Sequence, residues 1–198
     1  MPHRHLILLF AFTLIVANAT SPAFAHTGSG YGGGFLSGLV HPVLGWDHVA
    51  AMVAVGLWGA FLGAPAIWIL PVVFPLVMAL GAVAGIVGIP LPAVETGIAL
   101  SAVVLGLMIV FAVKPPIWVA AVIVGAFAIF HGYAHGTELP ATANAFAYAV
   151  GFVIATGFLH MLGIAFGLLT KWPAGKIAVR GAGGLISLAG IGFLTGIA

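Results

Sequence analysis

The sequence contains few charged residues and no cysteine. Charged side chains make up 4% of its 198 residues, and the formal net charge at pH 7 is +2. With so small an excess and no polybasic cluster, nothing indicates a nucleic acid as a partner. The lack of cysteine excludes disulfides and thiolate metal ligands, so a bound metal would need imidazole, carboxylate, carbonyl or thioether ligands. A nucleotide-binding motif is also missing, which excludes ATP hydrolysis by this chain.

Long apolar runs dominate the rest of the chain. Hydrophobic residues make up 63% of the sequence and the mean hydropathy is +1.31, whereas soluble domains contain roughly 45–50% apolar residues. A bilayer core of about 30 Å requires spans of roughly 20 apolar residues, which this composition supplies. The sequence therefore predicts an all-α, polytopic membrane protein that forms one helical bundle in the lipid bilayer.

The N-terminus has the pattern of a cleavable signal peptide. Arg4 is followed by a short apolar stretch, and Ala23 and Ala25 flank Phe24 as in a signal peptidase site, which predicts cleavage before His26. An uncleaved first transmembrane helix remains the alternative. The predicted organisation is a signal peptide at 1–25, a glycine-rich periplasmic segment at 26–40 and a six-helix transmembrane domain at 41–198.

Short breaks rich in proline and glycine divide this domain into predicted helices at 42–62, 66–88, 92–113, 116–134, 141–170 and 177–197. If the signal peptide places the mature N-terminus in the periplasm, the connections near 114 and 171–180 face the cytoplasm. Those connections contain every basic residue of the mature chain, as the positive-inside rule expects: Lys114, Lys171, Lys176 and Arg180. The predicted location is the bacterial inner membrane.

Three acidic residues, Asp47, Glu95 and Glu138, are the only carboxylate side chains in the sequence. The predicted topology places all of them toward the outer face of the bundle. A charged aspartate at the centre of a transmembrane helix costs roughly 2.5–3.5 kcal/mol, so such residues usually line a pathway or a site. Any one of them has a simpler explanation; the positive end of a helix, for example, could offset the charge of Asp47.

Histidines accompany these acids. His41 and His48 are seven residues apart, which predicts one helix face, although His41 before Pro42 could instead cap that helix. His131 and His135 are four residues apart, the spacing at which two imidazoles bind one metal ion, although His135 could also lie in a hydrated outer loop. The predicted metal-binding set is His41, Asp47, His48, Glu95, His131, His135 and Glu138.

Imidazole and carboxylate ligands without thiolate suit Ni²⁺, Co²⁺, Zn²⁺ or Mn²⁺ better than Cu⁺. No prosthetic group is expected. The sequence leaves open the choice of ion, the coupling ion, the inward gate, a homo-oligomeric state, and the roles of His26 and His160.

Two motifs resemble a known family. The stretch HPVLGWDH at 41–48 is similar to the H-P-x-x-G-x-D-H signature of the HupE/UreJ family of nickel and cobalt permeases, and FHGYAHGTE at 130–138 resembles that family's second histidine motif. The signal peptide, length and predicted spans also resemble the family over essentially the whole chain. The resemblance implies that the histidines and acids of both motifs recognise or pass the metal, and that Glu95 is the family's membrane-embedded acid.

The leading hypothesis is therefore a secondary permease, not an enzyme, that moves Ni²⁺ or Co²⁺ toward the cytoplasm along a path lined by histidine and carboxylate. The alternative is a zinc-dependent intramembrane hydrolase similar to membrane ceramidases, in which metal-bound water attacks an amide. Its residues would be Ser37, His41, Asp47, His131 and His135.

Overall fold

A computed structural model describes residues 34–139 and 144–197, and all regular structure in these ranges is helical. The predicted all-α class is confirmed, whereas the predicted signal peptide lies outside the described residues. The α-helices are α1 (Phe35–Leu44), α2 (Trp46–Leu62), α3 (Ala66–Ile86), α4 (Val94–Val110), α5 (Ile117–Glu138), α6 (Ala145–Gly167) and α7 (Pro173–Thr195), with a 3₁₀-helix at Leu168–Lys171.

Several of these helices are long and apolar enough to cross a membrane. In the described ranges these are α3, α5, α7 and the continuous segment of α6 and the 3₁₀-helix. Helices α1 and α2 are long and apolar enough to cross a membrane only when they are taken together as one bent span. Helix α4 is apolar but has only 17 residues. The protein is therefore a multi-pass helical membrane protein.

The prediction of one continuous first helix at 42–62 is wrong, because the segment forms two helices that meet at a bend. The axes of α1 and α2 meet at 84°, because the backbone of Gly45 leaves the helical conformation with φ −89° and ψ 109°. Both flanking segments are apolar, so hydrophobicity alone does not mark the break. Since α1 already begins at Phe35, residues 35–40 are helical instead of glycine-rich linker, and His41 lies inside α1 instead of capping a helix.

Other helix boundaries also differ from the prediction. Helix α5 continues to Glu138 through a stretch that was predicted as a loop after 134, and α7 begins at Pro173, earlier than the predicted 177. Proline is favoured in the first turn of a helix because its missing N–H needs no partner there. The predicted start of the fifth helix, at 141, lies outside the described residues.

Close contacts between backbones hold α5 against α3, the pair with the most extensive packing. A Cβ atom on Gly132 would overlap the carbonyl of Met78, and one on Gly136 would overlap the carbonyl of Ala82. Small residues at this spacing let membrane helices approach closely. Since His131 and His135 directly precede these glycines, the packing of α5 on α3 also fixes where the two histidines lie.

Helix α2 lies at the centre of the bundle. It packs on α6, α4, α3 and α7, and every residue from Ala51 to Ala60 except Val53 is buried. In its first turn Asp47 and His48 are buried as well, whereas Trp46 is exposed. The two polar side chains therefore point into protein instead of lipid.

Basic and acidic residues lie at opposite ends of the described bundle. At the basic end, Arg180 of α7 donates to the carbonyl of Val110 at 2.7 Å, and the amine of Lys114 lies 5.1 Å from the ring centroid of Phe61 at the end of α2. At the acidic end, α2 and α4 begin and α5 ends, which places all three acids there.

Candidate metal centre

Three side chains converge at the acidic end. His41 of α1 and His135 and Glu138 of α5 each offer a ligand atom, and these atoms all lie within 4.8 Å of one another. Nε2 of His41 is 3.7 Å from Oε2 of Glu138, and the ring centroids of His41 and His135 are 4.8 Å apart. We call these three residues the outer group; they combine two imidazoles and one carboxylate.

Helix α6 holds α1 in place over the end of α5. A Cβ atom on Gly38 of α1 would overlap the carbonyl of Tyr148, and one on Gly151 of α6 would overlap the carbonyl of Phe35. The ring of Tyr148 also lies 6.0 Å from that of His41. The break at Gly45 and this close packing together bring His41 to His135, although the two residues are far apart in sequence.

Deeper in the bundle lie His48 of α2 and His131 of α5, which we call the inner pair. Oδ1 of Asp47 lies 2.7 Å from Nδ1 of His48 and also accepts a hydrogen bond from its backbone N–H at 2.8 Å. Nδ1 of His131 lies 3.0 Å from the carbonyl oxygen of Phe127. An ionised carboxylate and a carbonyl only accept hydrogen bonds, so in the neutral rings both Nδ1 atoms carry the proton and both Nε2 atoms keep a lone pair.

These two Nε2 atoms are buried and have no hydrogen-bond partner in the described residues. The ring centroids of the inner pair are 5.2 Å apart. Buried polar atoms without a partner are rare, and a metal ion is one partner that would satisfy an imidazole lone pair. An imidazole held by a carboxylate at its other nitrogen is also the usual arrangement of a metal-binding histidine.

His135 connects the outer group with the inner pair, since its ring centroid is 4.6 Å from that of His48. We call His41, His135, His48 and His131 the histidine row. Its outer end is partly accessible, with 15% of the His41 side chain and 26% of the Glu138 side chain exposed, whereas His131 is fully buried. The row therefore runs from the acidic end into the bundle.

Six of the seven predicted metal-binding residues lie in this cluster, and Glu95 does not. Glu95 is exposed in the first turn of α4, two residues before Gly97, whose backbone packs against the ring of Phe130. It lies at the same end of the bundle as the outer group without belonging to it.

Two phenylalanines beside the row were not predicted. Phe152 lies 4.4 Å from His135 and Phe74 lies 5.4 Å from His131, measured between ring centroids. The chain contains 14 phenylalanines, and nothing in the sequence distinguishes these two. The predicted single face for His41 and His48 is wrong, because the two residues lie on different helices and are 6.2 Å apart between centroids.

A multi-pass helical bundle with imidazoles and carboxylates gathered at one end belongs to the class of membrane proteins that handle metal cations. Comparison with known proteins makes this specific. Residues 14–193 match the family model described as HupE / UreJ protein. The chain is 49% identical to Protein HupE of Rhizobium leguminosarum bv. viciae over 185 aligned residues. The alignment covers 93% of this chain and 97% of that protein. No solved structure matches.

The chain therefore belongs to the HupE/UreJ family. This is a family of permeases, so the chain has a nickel/cobalt transport-type function and is not an enzyme. The hydrolase alternative is set aside on this ground. Its proposed Ser37 lies in α1, one turn before His41.

Proposed function

We propose that this protein carries Ni²⁺, or Co²⁺, across the inner membrane toward the cytoplasm, along a path that begins at the outer group and continues through the histidine row. The observation that carries this proposal is the convergence of His41, His135 and Glu138, whose ligand atoms lie within 4.8 Å of one another. These residues come from two helices and combine two imidazoles with one carboxylate.

The chemistry of this group suits a divalent ion that arrives hydrated. Imidazole nitrogens replace water molecules in the coordination shell of Ni²⁺ and Co²⁺, and the carboxylate of Glu138 offsets part of the charge, which would otherwise make burial very costly. The lone pairs on Nε2 of His48 and His131 then offer the next ligands inward. Exposed Glu95 attracts cations to the same end.

The proposed topology has six crossings. The bent pair of α1 and α2 forms one, and α3, α4, α5, α6 with its 3₁₀-helix, and α7 form the others. The 17 residues of α4 extend about 26 Å, slightly less than the bilayer core. A signal peptide at 1–25 would leave the mature N-terminus and the acidic end in the periplasm, with Lys114 and Arg180 in the cytoplasm.

The membrane potential supplies a driving force for this direction of transport. It provides about 2.3 kcal/mol per elementary charge for each 100 mV, and twice that for a divalent ion. Release of protons from imidazole ligands on metal binding offers a second source of coupling.

The test is uptake of radioactive Ni²⁺ into proteoliposomes that hold the purified protein and an inside-negative potential. We expect saturable uptake in the wild type, competition by Co²⁺, and loss of uptake in His135→Ala. Ser187→Ala is the matched control, because it also removes a buried polar side chain. The Ser187 hydroxyl on α7 donates a hydrogen bond to the carbonyl of Val103 on α4, away from the histidine row. Uptake no higher than in empty liposomes, or full uptake in His135→Ala, would overturn the proposal.

A further inference from the structure

A buried histidine lies beyond the end of the histidine row. His160 of α6 is 1% exposed, and its ring lies 5.5 Å from that of Phe74 at an interplanar angle of 88°. The ring of Phe74 also lies 5.4 Å from that of His131. Phe74 is thus the aromatic contact between the histidine row and His160.

His160 and its neighbour Thr156 lack hydrogen-bond partners. In the described residues, the two ring nitrogens of His160 and the hydroxyl of Thr156 make no hydrogen bond, although all three atoms are buried. The two residues are four apart on α6 and therefore share one helix face. Buried polar groups in proteins are nearly always satisfied. The lone pairs on one imidazole nitrogen and on the hydroxyl are therefore available to a metal ion.

Helix α3 contributes a third group to the same place. Residue 75 is proline, which has no N–H, so the carbonyl of Pro71 cannot accept the usual hydrogen bond from four residues further on. The ring of His160 lies beside this carbonyl, outside hydrogen-bond geometry. The imidazole of His160 therefore has a carbonyl of α3 beside it that lacks its helical partner, and the hydroxyl of Thr156 lies one turn earlier on its own helix face.

We propose that His160, Thr156 and the Pro71 carbonyl form a second binding site for the transported divalent ion, separated from the histidine row by Phe74. We call it the inner site; the proposal rests on the function proposed above, because the ion is the same. All three ligands are neutral and the chain's three acids lie elsewhere, so the inner site binds the ion more weakly than the outer group. Conduction needs such a site, which accepts an ion and releases it.

The first test is the number of Co²⁺ ions that the purified full-length protein binds in detergent, measured by equilibrium dialysis and by the visible spectrum of the metal. We expect two ions in the wild type, the second weaker than the first. His160→Phe, which keeps an aromatic ring against Phe74, and the nearly isosteric Thr156→Val should each bind one ion. The affinity of the remaining site should stay within about twofold of the wild-type value, since the histidine row is intact.

Uptake kinetics give an independent measurement. Because the inner site follows the outer group, both variants should lower the maximal rate by about tenfold or more while the KM for Ni²⁺ stays unchanged. A role in packing alone would leave the stoichiometry at two and the maximal rate unaltered. That result in both variants would overturn the inner site. If His160→Phe does not fold, Thr156→Val decides the question, and a retained second ion overturns the proposal.

Failure of the inner site differs from failure of the proposed function. If the wild type takes up Ni²⁺ and binds one ion that is lost in His135→Ala, the permease stands and the inner site does not. If the wild type takes up no Ni²⁺ at all, the proposed function fails first. Ser187→Ala should keep two ions and the full maximal rate.

Discussion

The interaction of Asp47 with His48 leads to a quantitative prediction about metal affinity. One carboxylate oxygen of Asp47 lies within 2.8 Å of both Nδ1 and the backbone nitrogen of His48. Asp47→Ala leaves two buried donors without this acceptor, which costs about 1–3 kcal/mol of folding free energy per group. Loss of a residue that orients a metal-binding histidine typically lowers metal affinity by about 10–100-fold, equivalent to about 1.4–2.7 kcal/mol.

Asp47→Asn separates these two contributions. The amide oxygen of asparagine accepts the same hydrogen bonds, so this variant should regain most of the stability lost in Asp47→Ala. Without the negative charge it should regain only part of the affinity for Ni²⁺. Isothermal titration with Ni²⁺ measures the affinity, and thermal unfolding in detergent measures the stability.

The control for this comparison is Ser187→Ala, which removes a 3.1 Å hydrogen bond from the Ser187 hydroxyl to the carbonyl of Val103. It should cost about 1 kcal/mol of stability and leave the Ni²⁺ affinity unchanged. If Asp47→Ala bound Ni²⁺ as tightly as the wild type, or if Asp47→Asn were no more stable than Asp47→Ala, Asp47 would not orient His48.

Three further predictions test other parts of the structure. Gly132→Ala should lower stability by about 1–3 kcal/mol and reduce uptake, because its Cβ would overlap the Met78 carbonyl. The control is Gly157→Ala, whose Cβ meets nothing within 4 Å; it should leave stability unchanged when thermal unfolding is measured in detergent. Glu138→Gln should raise the KM for Ni²⁺ about tenfold in proteoliposomes, and an unchanged KM would exclude its carboxylate from the site. Glu95→Gln should raise the KM more at low than at high ionic strength, because Glu95 is exposed; a salt-independent effect would contradict this role.

Local signals were sufficient where a break in the sequence is strong. The start of α3 at Ala66 was predicted correctly, and its end at Ile86 was placed within two residues, because proline and glycine flank the apolar run on both sides. The shared face of His131 and His135 also followed from spacing alone, since α5 is continuous over both residues, whereas its extension to Glu138 was not predicted. Such predictions depend only on residues close in sequence.

The geometry of the candidate site could not be predicted in the same way. Pro42 indicated the start of a helix but lies near the end of α1, and Gly45 changes the chain direction between two equally apolar segments. The contact of His41 with Glu138 depends on the packing of α1 on α6, which joins residues far apart in the chain. Helix α5 passes through Gly132 and Gly136, which disfavour helices in water, because both pack against α3.

The separation of acidic and basic residues gives the described bundle an electric dipole along its long axis. Asp47, Glu95 and Glu138 form the negative pole, and Lys114 and Arg180 belong to the positive pole. A cation is therefore attracted to one pole and repelled by the other, independently of any coordination bond. A cation that leaves through the positive pole does so against the local field of the protein, which raises the barrier to release on that side without changing the net driving force between the two bulk phases.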